Sequence, residues 1–278
     1  MKDMINLCFP SPGDLKDKSF LHTDNFPFIF SGKNSSFIYN FQNKGTYTLY
    51  PLYWEKGILG LGLGNICIHP DYRGEGWSQK MLFEAESQAK NLGGDFLFLF
   101  SEKESLYLKG GYTQVGKDYF LSVQGIPWFT SQSQLLEFQR KNTLHLNLQE
   151  RVRLWSFMET VRPTSYPILN FSDFDHMMNI PHMEVMWNPH HTQAVGFLGK
   201  GSDFRGIVHG FYYKTCQDLQ DLFCYIFHAA PSSVAMVTGI PVLESIASAV
   251  PLCFFKGPMK LFNMIQNHQL SIPSLQSL

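Results

Sequence analysis

Between Ile66 and Ser78 the chain reads Ile66-Cys67-Ile68-His69-Pro70-Asp71-Tyr72-Arg73-Gly74-Glu75-Gly76-Trp77-Ser78, and these residue types in this order suit an anion. Ile66, Cys67 and Ile68 are strand-like, and Pro70 stops the ladder because it has no N–H to donate. Gly74 and Gly76 remove side chains where a ligand would have to touch backbone. The pattern from Gln79 to Asn91 predicts a helix directly after the loop. First-turn amides lack intrahelical acceptors and the helix dipole places partial positive charge there, so main chain from Arg73 through Ser78 could hold a pyrophosphate, with Arg73 adding a fixed charge. On ordinary residue frequencies such a loop alone recurs by chance in roughly one chain in three of this size. Its surroundings therefore decide what it means.

Downstream lie an apolar run, Asp95 to Phe100, and then Tyr107-Leu108-Lys109-Gly110-Gly111-Tyr112. Ile68-x-Pro70, the loop, a helix, a buried strand and Tyr107-x-x-x-Gly111-Tyr112 together resemble the GNAT superfamily of N-acetyltransferases. The resemblance covers about residues 25 to 123. It implies an acyl-CoA N-acyltransferase fold and acetyl-CoA (coenzyme A) as the donor. It further implies that the backbone of Ile66, Cys67 and Ile68 pairs with the peptide-like pantetheine arm, that the loop from Arg73 through Gly74, Glu75, Gly76 and Trp77 to Ser78 takes the pyrophosphate, and that Tyr107 is the general acid for the departing thiolate. Ser78 stands where the family usually has glycine or alanine, and Tyr112 where it usually has phenylalanine. The acceptor implied is a small-molecule or peptide amine. Among residues near the strand ends, Glu55, His69 and Glu102 are candidates for the base that takes the ammonium proton, and an ordered water is the alternative.

The elements that must position these residues follow from periodicity. Alternation over Ser36–Phe41, Thr46–Trp54 and Ile58–Ile68, with turns at 42–45 and 55–57, predicts a three-stranded meander. Strand, helix and strand around the loop make a parallel crossover, so the fold class is α/β with a mixed sheet. Strands are expected near Thr113–Val115 and Tyr119–Val123, and connecting helices over 131–158. A second α/β pattern follows: strands at Ala194–Leu198 and Ile207–Tyr213, a helix over Cys216–His228, a strand at Val234–Val237, a short helix at Val242–Ala249, and strands at Leu252–Phe255 and Lys260–Met264. The same order in both halves predicts two tandem GNAT-like domains: residues 1–125 with the cofactor site, a helical linker over 126–160, and a degenerate copy over 161–278. Between strand and helix that copy offers only Tyr212-Tyr213-Lys214-Thr215-Cys216, without arginine or glycine, and its short helix has no tyrosine. Chemistry is therefore expected in the N-terminal half alone.

Composition limits the remaining classes. The 278 residues are 44% hydrophobic with a formal net charge of -1, and no Lys/Arg block tracks a nucleic acid or an anionic bilayer, so neither partner is expected. No apolar run reaches the roughly 20 residues of a membrane span and no secretory leader opens the chain, so a cytoplasmic monomer or homodimer is expected. Cys8, Cys67, Cys216, Cys224 and Cys253 show no paired spacing and read as reduced core thiols. His176, His182, His190 and His191 match no metal-ligand spacing, so no metal is expected. A dinucleotide fingerprint fails because Gln79 stands at the third glycine position and His69–Arg73 separate the strand from the loop. A rival from another class is a GNAT fold that binds acyl-CoA, or a protein partner, as a sensor.

Overall fold

The computed structural model describes residues 37–126, 138–168, 170–200, 205–250 and 253–272. Among them the chain forms two compact units: one made of residues 37–116, 164–168 and 253–272, the other of 117–126, 138–163, 170–200 and 205–250.

In the first unit, β1 (Phe37–Phe41), β2 (Gly45–Tyr53) and β3 (Leu59–Ile68) form the expected antiparallel meander. Helix α1 (Trp77–Asn91) then crosses to β4 (Phe96–Phe100), which pairs parallel to β3, and helix α2 (Glu104–Lys109) leads to the short β5 (Thr113–Gln114). Alternation in β4, Phe-Leu-Phe-Leu-Phe, sorts two apolar layers. Leu97 and Leu99 face α1 with Leu61, Leu63, Met81, Leu82 and Ala85, while Phe96 and Phe98 join Trp54 and Phe255 on the other face. Gly60 and Gly62 make room there. A Cβ on Gly60 would lie 2.5 Å from the Phe96 ring, and one on Gly62 only 1.8 Å from the Tyr50 ring.

In the second unit, β7 (Gln139–Asn142), β8 (Glu184–Trp187), β9 (Ala194–Leu198) and β10 (Ile207–Tyr213) run antiparallel in series. Helix α3 (Leu148–Val161) and helix α4 (Phe171–Met177) lie between β7 and β8 in sequence. Helix α5 (Cys216–Ala229) returns the chain to β11 (Val234–Met236), parallel to β10, and helix α6 (Pro241–Glu244) precedes β12 (Ser248–Val250). Leu219, Leu222, Phe223 and Ile226 of α5 are buried at helical spacing against this sheet.

Each sheet takes its remaining strand from a distant stretch of sequence. β6 (Asp118–Ser122) lies between β11 and β12, and β13 (Cys253–Lys256) lies between β4 and β5. Strand order is thus β1-β2-β3-β4-β13-β5 in one sheet and β12-β6-β11-β10-β9-β8-β7 in the other, the same plan with β7 added. This corrects the boundaries read from sequence. The first unit ends at Gly116 rather than 125, residues 138–163 belong to the second unit rather than to a linker, and 253–272 return to the first. Each half was expected to close on its own hairpin, yet Asp118–Ser122 and Cys253–Lys256 complete the other sheet in order. Lys256 ties β13 in place: its Nζ donates to Glu86 Oε1 of α1 at 2.7 Å and to the Gly110 carbonyl at 2.7 Å.

Two further expectations change. Lys260–Met264 is not a strand but part of helix α7 (Met259–Gln266), opened by Pro258 as N-cap. Residues 139–142 of the expected linker helices are a strand, Thr143–His145 are a single 3-10 turn, and Leu148–Val161 is an α-helix started by an Asn147/Glu150 capping box; 131–137 lie outside the described residues.

His209 on β10 is 2% exposed, with Nε2 against the Gly199 carbonyl at 3.0 Å, and burial pushes its pKa down to about 4. The folded state therefore resists a proton that the unfolded chain accepts near pH 6.5. Stability is fully present above that pH and falls as pH drops towards 4, by about 3 kcal/mol in all. Urea titrations at pH 7 and pH 4.5 should show this loss in the native protein. In His209→Phe, whose ring can keep the stack on Phe197, the acid loss should shrink by most of that amount.

Candidate functional site

The site is built where β3 leaves its neighbour. β3 and β4 pair at Gly60–Phe96, Leu61–Leu97 and Gly62–Phe98, after which the ladder ends while β3 continues to Ile68. The cause is local. Against β2 the register slips between Thr46–Cys67 and Thr48–Gly64, so β3 carries one extra residue, and Asn65 sits there at φ 49. Such a bulge bends and twists its strand. It also resets which side chains face which layer: Leu59, Leu61 and Leu63 point to the α1 side before it, Ile66 and Ile68 after it. The sequence signal was Asn65, a residue type that tolerates a left-handed backbone.

Beyond Ile68, Pro70–Tyr72 form a single 3-10 turn, and the loop Arg73–Gly76 leads straight into α1. Gly74 (φ +85) and Gly76 (φ +76) are left-handed, with no atom within 4 Å of where a Cβ would stand. Both are therefore glycine for backbone conformation, and both leave open space in front of the main chain. Helix α1 starts at Trp77, two residues earlier than expected, and Gly76 provides no side-chain cap. Among the described residues, the amides of Gly74, Glu75, Gly76, Trp77 and Ser78 meet no acceptor, whereas Gln79 and Lys80 donate back to the Gly76 carbonyl. Five clustered donors at a helix N-terminus form a site that can take an anion.

Arg73 departs from its expected part. Its amide is spent on the Pro70 carbonyl at 3.2 Å, so the donor set begins at Gly74, and its Nε donates to the Ile68 carbonyl at 3.0 Å, tying the loop to the strand end. Trp77 is half-buried, edge-on to Phe41, with its Nε1 donating to Glu75 Oε2 at 2.9 Å. Two ammonium groups that sequence reasoning missed lie on its ring: Lys44 Nζ at 3.3 Å and Lys80 Nζ at 4.0 Å from the centroid. Lys44 is placed by the β1–β2 turn, where its carbonyl accepts the His69 amide, and only that pairing brings it beside the loop.

Tyr107 lies on α2 in the α1-side core, 4% exposed, with ring centroids 5.4 Å from Phe254 and 5.9 Å from Tyr112. Burial raises its pKa above the usual tyrosine value, and a hydrogen bond shared with the Ser101 side chain pulls the other way. The phenol is therefore protonated at neutral pH. Tyr112 packs in the same core, its hydroxyl buried without a partner among the described residues.

The candidate bases fare unequally. Glu55 sits in the turn that precedes β3, at the end of the strand away from the loop, and is exposed. His69 stands beside the loop, but its Nδ1 takes the Asp71 amide at 3.4 Å and lies 3.6 Å from the Asp71 carboxylate. Glu102 is exposed between β4 and α2. Nothing in the geometry singles out one of them. The cysteine reading also changes: Cys67 is in a disulfide, so the side chain beside the loop is no thiol, while Cys216, Cys224 and Cys253 are not bridged and Cys8 lies outside the described residues.

The second unit repeats the strand geometry without the donors. β10 pairs with β11 only at Ile207 and Val208, then continues past an irregularity at Gly210 (φ 62) to Tyr213. At its end, however, α5 closes its own N-terminus. Thr215 Oγ1 accepts the Asp218 amide, and Asp218 Oδ2 accepts the Thr215 amide at 2.9 Å, so a carboxylate occupies the place an anion would need.

No protein-family model and no curated protein sequence matches the chain. Solved structures do. A GNAT-type N-acetyltransferase from Anabaena variabilis superposes with a TM-score of 0.61 at 12% identity, over 92% of this chain and 69% of that one. A conserved protein of Enterococcus faecalis V583, called a probable N-acyltransferase, gives 0.60 at 13% identity over 91% and 68%. One from Kribbella flavida gives 0.53 at 12% identity, over 76% of this chain and 56% of its own length. The chain has the GNAT fold. Both sheets follow the GNAT plan, and the first unit alone among the two pairs the parted strands with a donor-rich loop. At these identities the likeness carries the fold, and activity has to be argued from the site.

Proposed function

We propose that the first unit binds acetyl-CoA and catalyses acetyl transfer to a primary amine by direct attack. The observation that carries the reading is the conjunction of an unladdered β3 edge with the five acceptor-free amides that follow it. These residues fit coenzyme A: the amides of Gly74 to Ser78 would hold the pyrophosphate, and the edge of β3 from Leu63 to Ile68 would take the amide-bearing pantetheine as a further strand takes its neighbour. When bound, acetyl-CoA supplies an acetyl group activated as a thioester. Lys44, Lys80 and the Arg73 guanidinium favour the anionic end of that ligand. Tyr107, kept protonated by burial, is the group proposed to donate a proton to the departing sulfur. The acceptor nitrogen must be neutral to attack, and a water or one of Glu55, His69 and Glu102 would take its proton.

The competing reading is an acyl-CoA sensor on the same fold, favoured by the lack, among the described residues, of a buried base beside the loop. Turnover separates the two. Release of coenzyme A from acetyl-CoA in the presence of a panel of amines (aminoglycosides, polyamines, amino acids, peptides) should exceed the amine-free rate for at least one class. Tight acetyl-CoA binding with no amine-dependent release across the panel would favour the sensor.

A further inference from the structure

We propose that Tyr50 is the end wall of the acyl site and restricts the donor to short acyl groups, an inference that rests on the coenzyme A reading above. A ligand anchored at Gly74–Ser78 and laid along β3 runs from Ile68 back towards Gly64, and has to stop where β3 and β4 rejoin at Gly62–Phe98. On the α1 side that point is filled by Leu61, Leu63, Leu97 and Leu99, all buried. On the other side it is covered by one ring. A Cβ built on Gly62 would fall 1.8 Å from Tyr50 Cε2, and one on Gly64 3.3 Å from Cε1, so the Tyr50 ring lies directly on the backbone at and just beyond the rejoining point. Its edge meets Phe98, 5.9 Å between centroids, and Phe98 itself is completely buried.

The ring is therefore backed by fixed atoms and cannot retreat towards β4. Tyr50 is only partly buried, and its hydroxyl has no hydrogen-bond partner among the described residues, although a tyrosine in a closed core ordinarily finds one. The phenol group itself is desolvated by burial and lies within electrostatic reach of Cys253 on β13, so the ring is packed in place. Gly62 and Gly64 have no side chain because the ring occupies that room, and the same ring then sets how far an acyl chain extends beyond the thioester. Tyr50 acts here through its shape. Its hydroxyl is not required for the restriction.

The test is calorimetric binding of free coenzyme A, acetyl-CoA, butyryl-CoA and hexanoyl-CoA to the native protein and to Tyr50→Phe, Tyr50→Leu and Tyr50→Ala. Native protein and Tyr50→Phe should bind acetyl-CoA at least about tenfold more tightly than hexanoyl-CoA, since extra methylenes that find no room are rejected on that scale. In Tyr50→Leu and Tyr50→Ala that preference should vanish or invert, with free coenzyme A affinity unchanged as the check on folding. Tyr50→Leu keeps most of the apolar volume and carries the test if the alanine variant does not fold. An unchanged acyl ranking in Tyr50→Leu, or the same gain for hexanoyl-CoA in Tyr50→Phe, overturns this proposal and leaves the coenzyme A reading standing. Absence of coenzyme A binding by the native protein overturns both.

Discussion

Gly76→Asp lowers coenzyme A affinity by about two to four orders of magnitude, from the loss of two or more charge-assisted hydrogen bonds at about 1.5–3 kcal/mol each. Three effects act together. Gly76 has φ +76, a conformation that costs other residues about 1–2 kcal/mol, so the loop is pulled away from its present path. Aspartate is a good N-cap, and its carboxylate would accept the α1 amides now without acceptors. The same carboxylate would repel a pyrophosphate. The second unit shows a helix start already closed: Thr215 caps α5, the Asp218 carboxylate accepts the Thr215 amide, and no donor-rich loop precedes it. Because nothing lies within 4 Å of the missing Cβ, the substitution should leave the core intact, and melting should shift by no more than the strain term. Titration calorimetry of the variant beside the native protein measures the loss. Retained affinity would mean that the loop is not the anion site.

Tyr107→Phe reduces kcat by about a hundredfold or more, the usual share of a positioned proton donor, while acetyl-CoA affinity stays within a few-fold. The substitution is a clean probe because the ring contacts with Phe254 and Tyr112 survive it. Only the hydrogen bond shared with Ser101 is lost, worth about 1 kcal/mol of stability. A second readout separates an acid from a packing residue. Burial raises the Tyr107 pKa, so the donating form persists through neutral pH, and the rate should decline only where an alkaline limb deprotonates it, above the ordinary tyrosine value of 10. That limb should be absent from the residual activity of Tyr107→Phe. A variant with native kcat and a lowered melting point would show Tyr107 to be core only.

Much of this arrangement is legible from residue types because it depends on neighbours in sequence. Pro70 ends β3, glycines occupy the two left-handed loop positions, and β4 alternates Phe with Leu because its two faces meet different layers. What could not be read depends on distant partners. Cys253–Lys256 is recognisable as a strand, but that it inserts between β4 and β5 depends on which ladder has room, a property of no single segment. The same holds for Asp118–Ser122. Lys260–Met264 is too short a run for its period to be told, and the decisive features were Pro258 before it and the i, i+4 pair Leu261 and Ile265.

Within the site, Arg73 was legible as a cation, but its bond to the Ile68 carbonyl was not, because the carbonyl's direction depends on the bulge. Lys44 was missed for a similar reason, as it approaches Trp77 only through the β1–β2 turn. Tyr50 was missed because it touches the glycines of a neighbouring strand rather than its own.

The central claim is that one unit, through the loop Gly74–Ser78, binds the donor. Titration calorimetry of acetyl-CoA into the native protein tests it most directly. The account predicts saturable binding of one acetyl-CoA per chain, lost on adding the Gly76→Asp substitution. No binding, two equivalent sites per chain, or a single site indifferent to Gly76→Asp would contradict it.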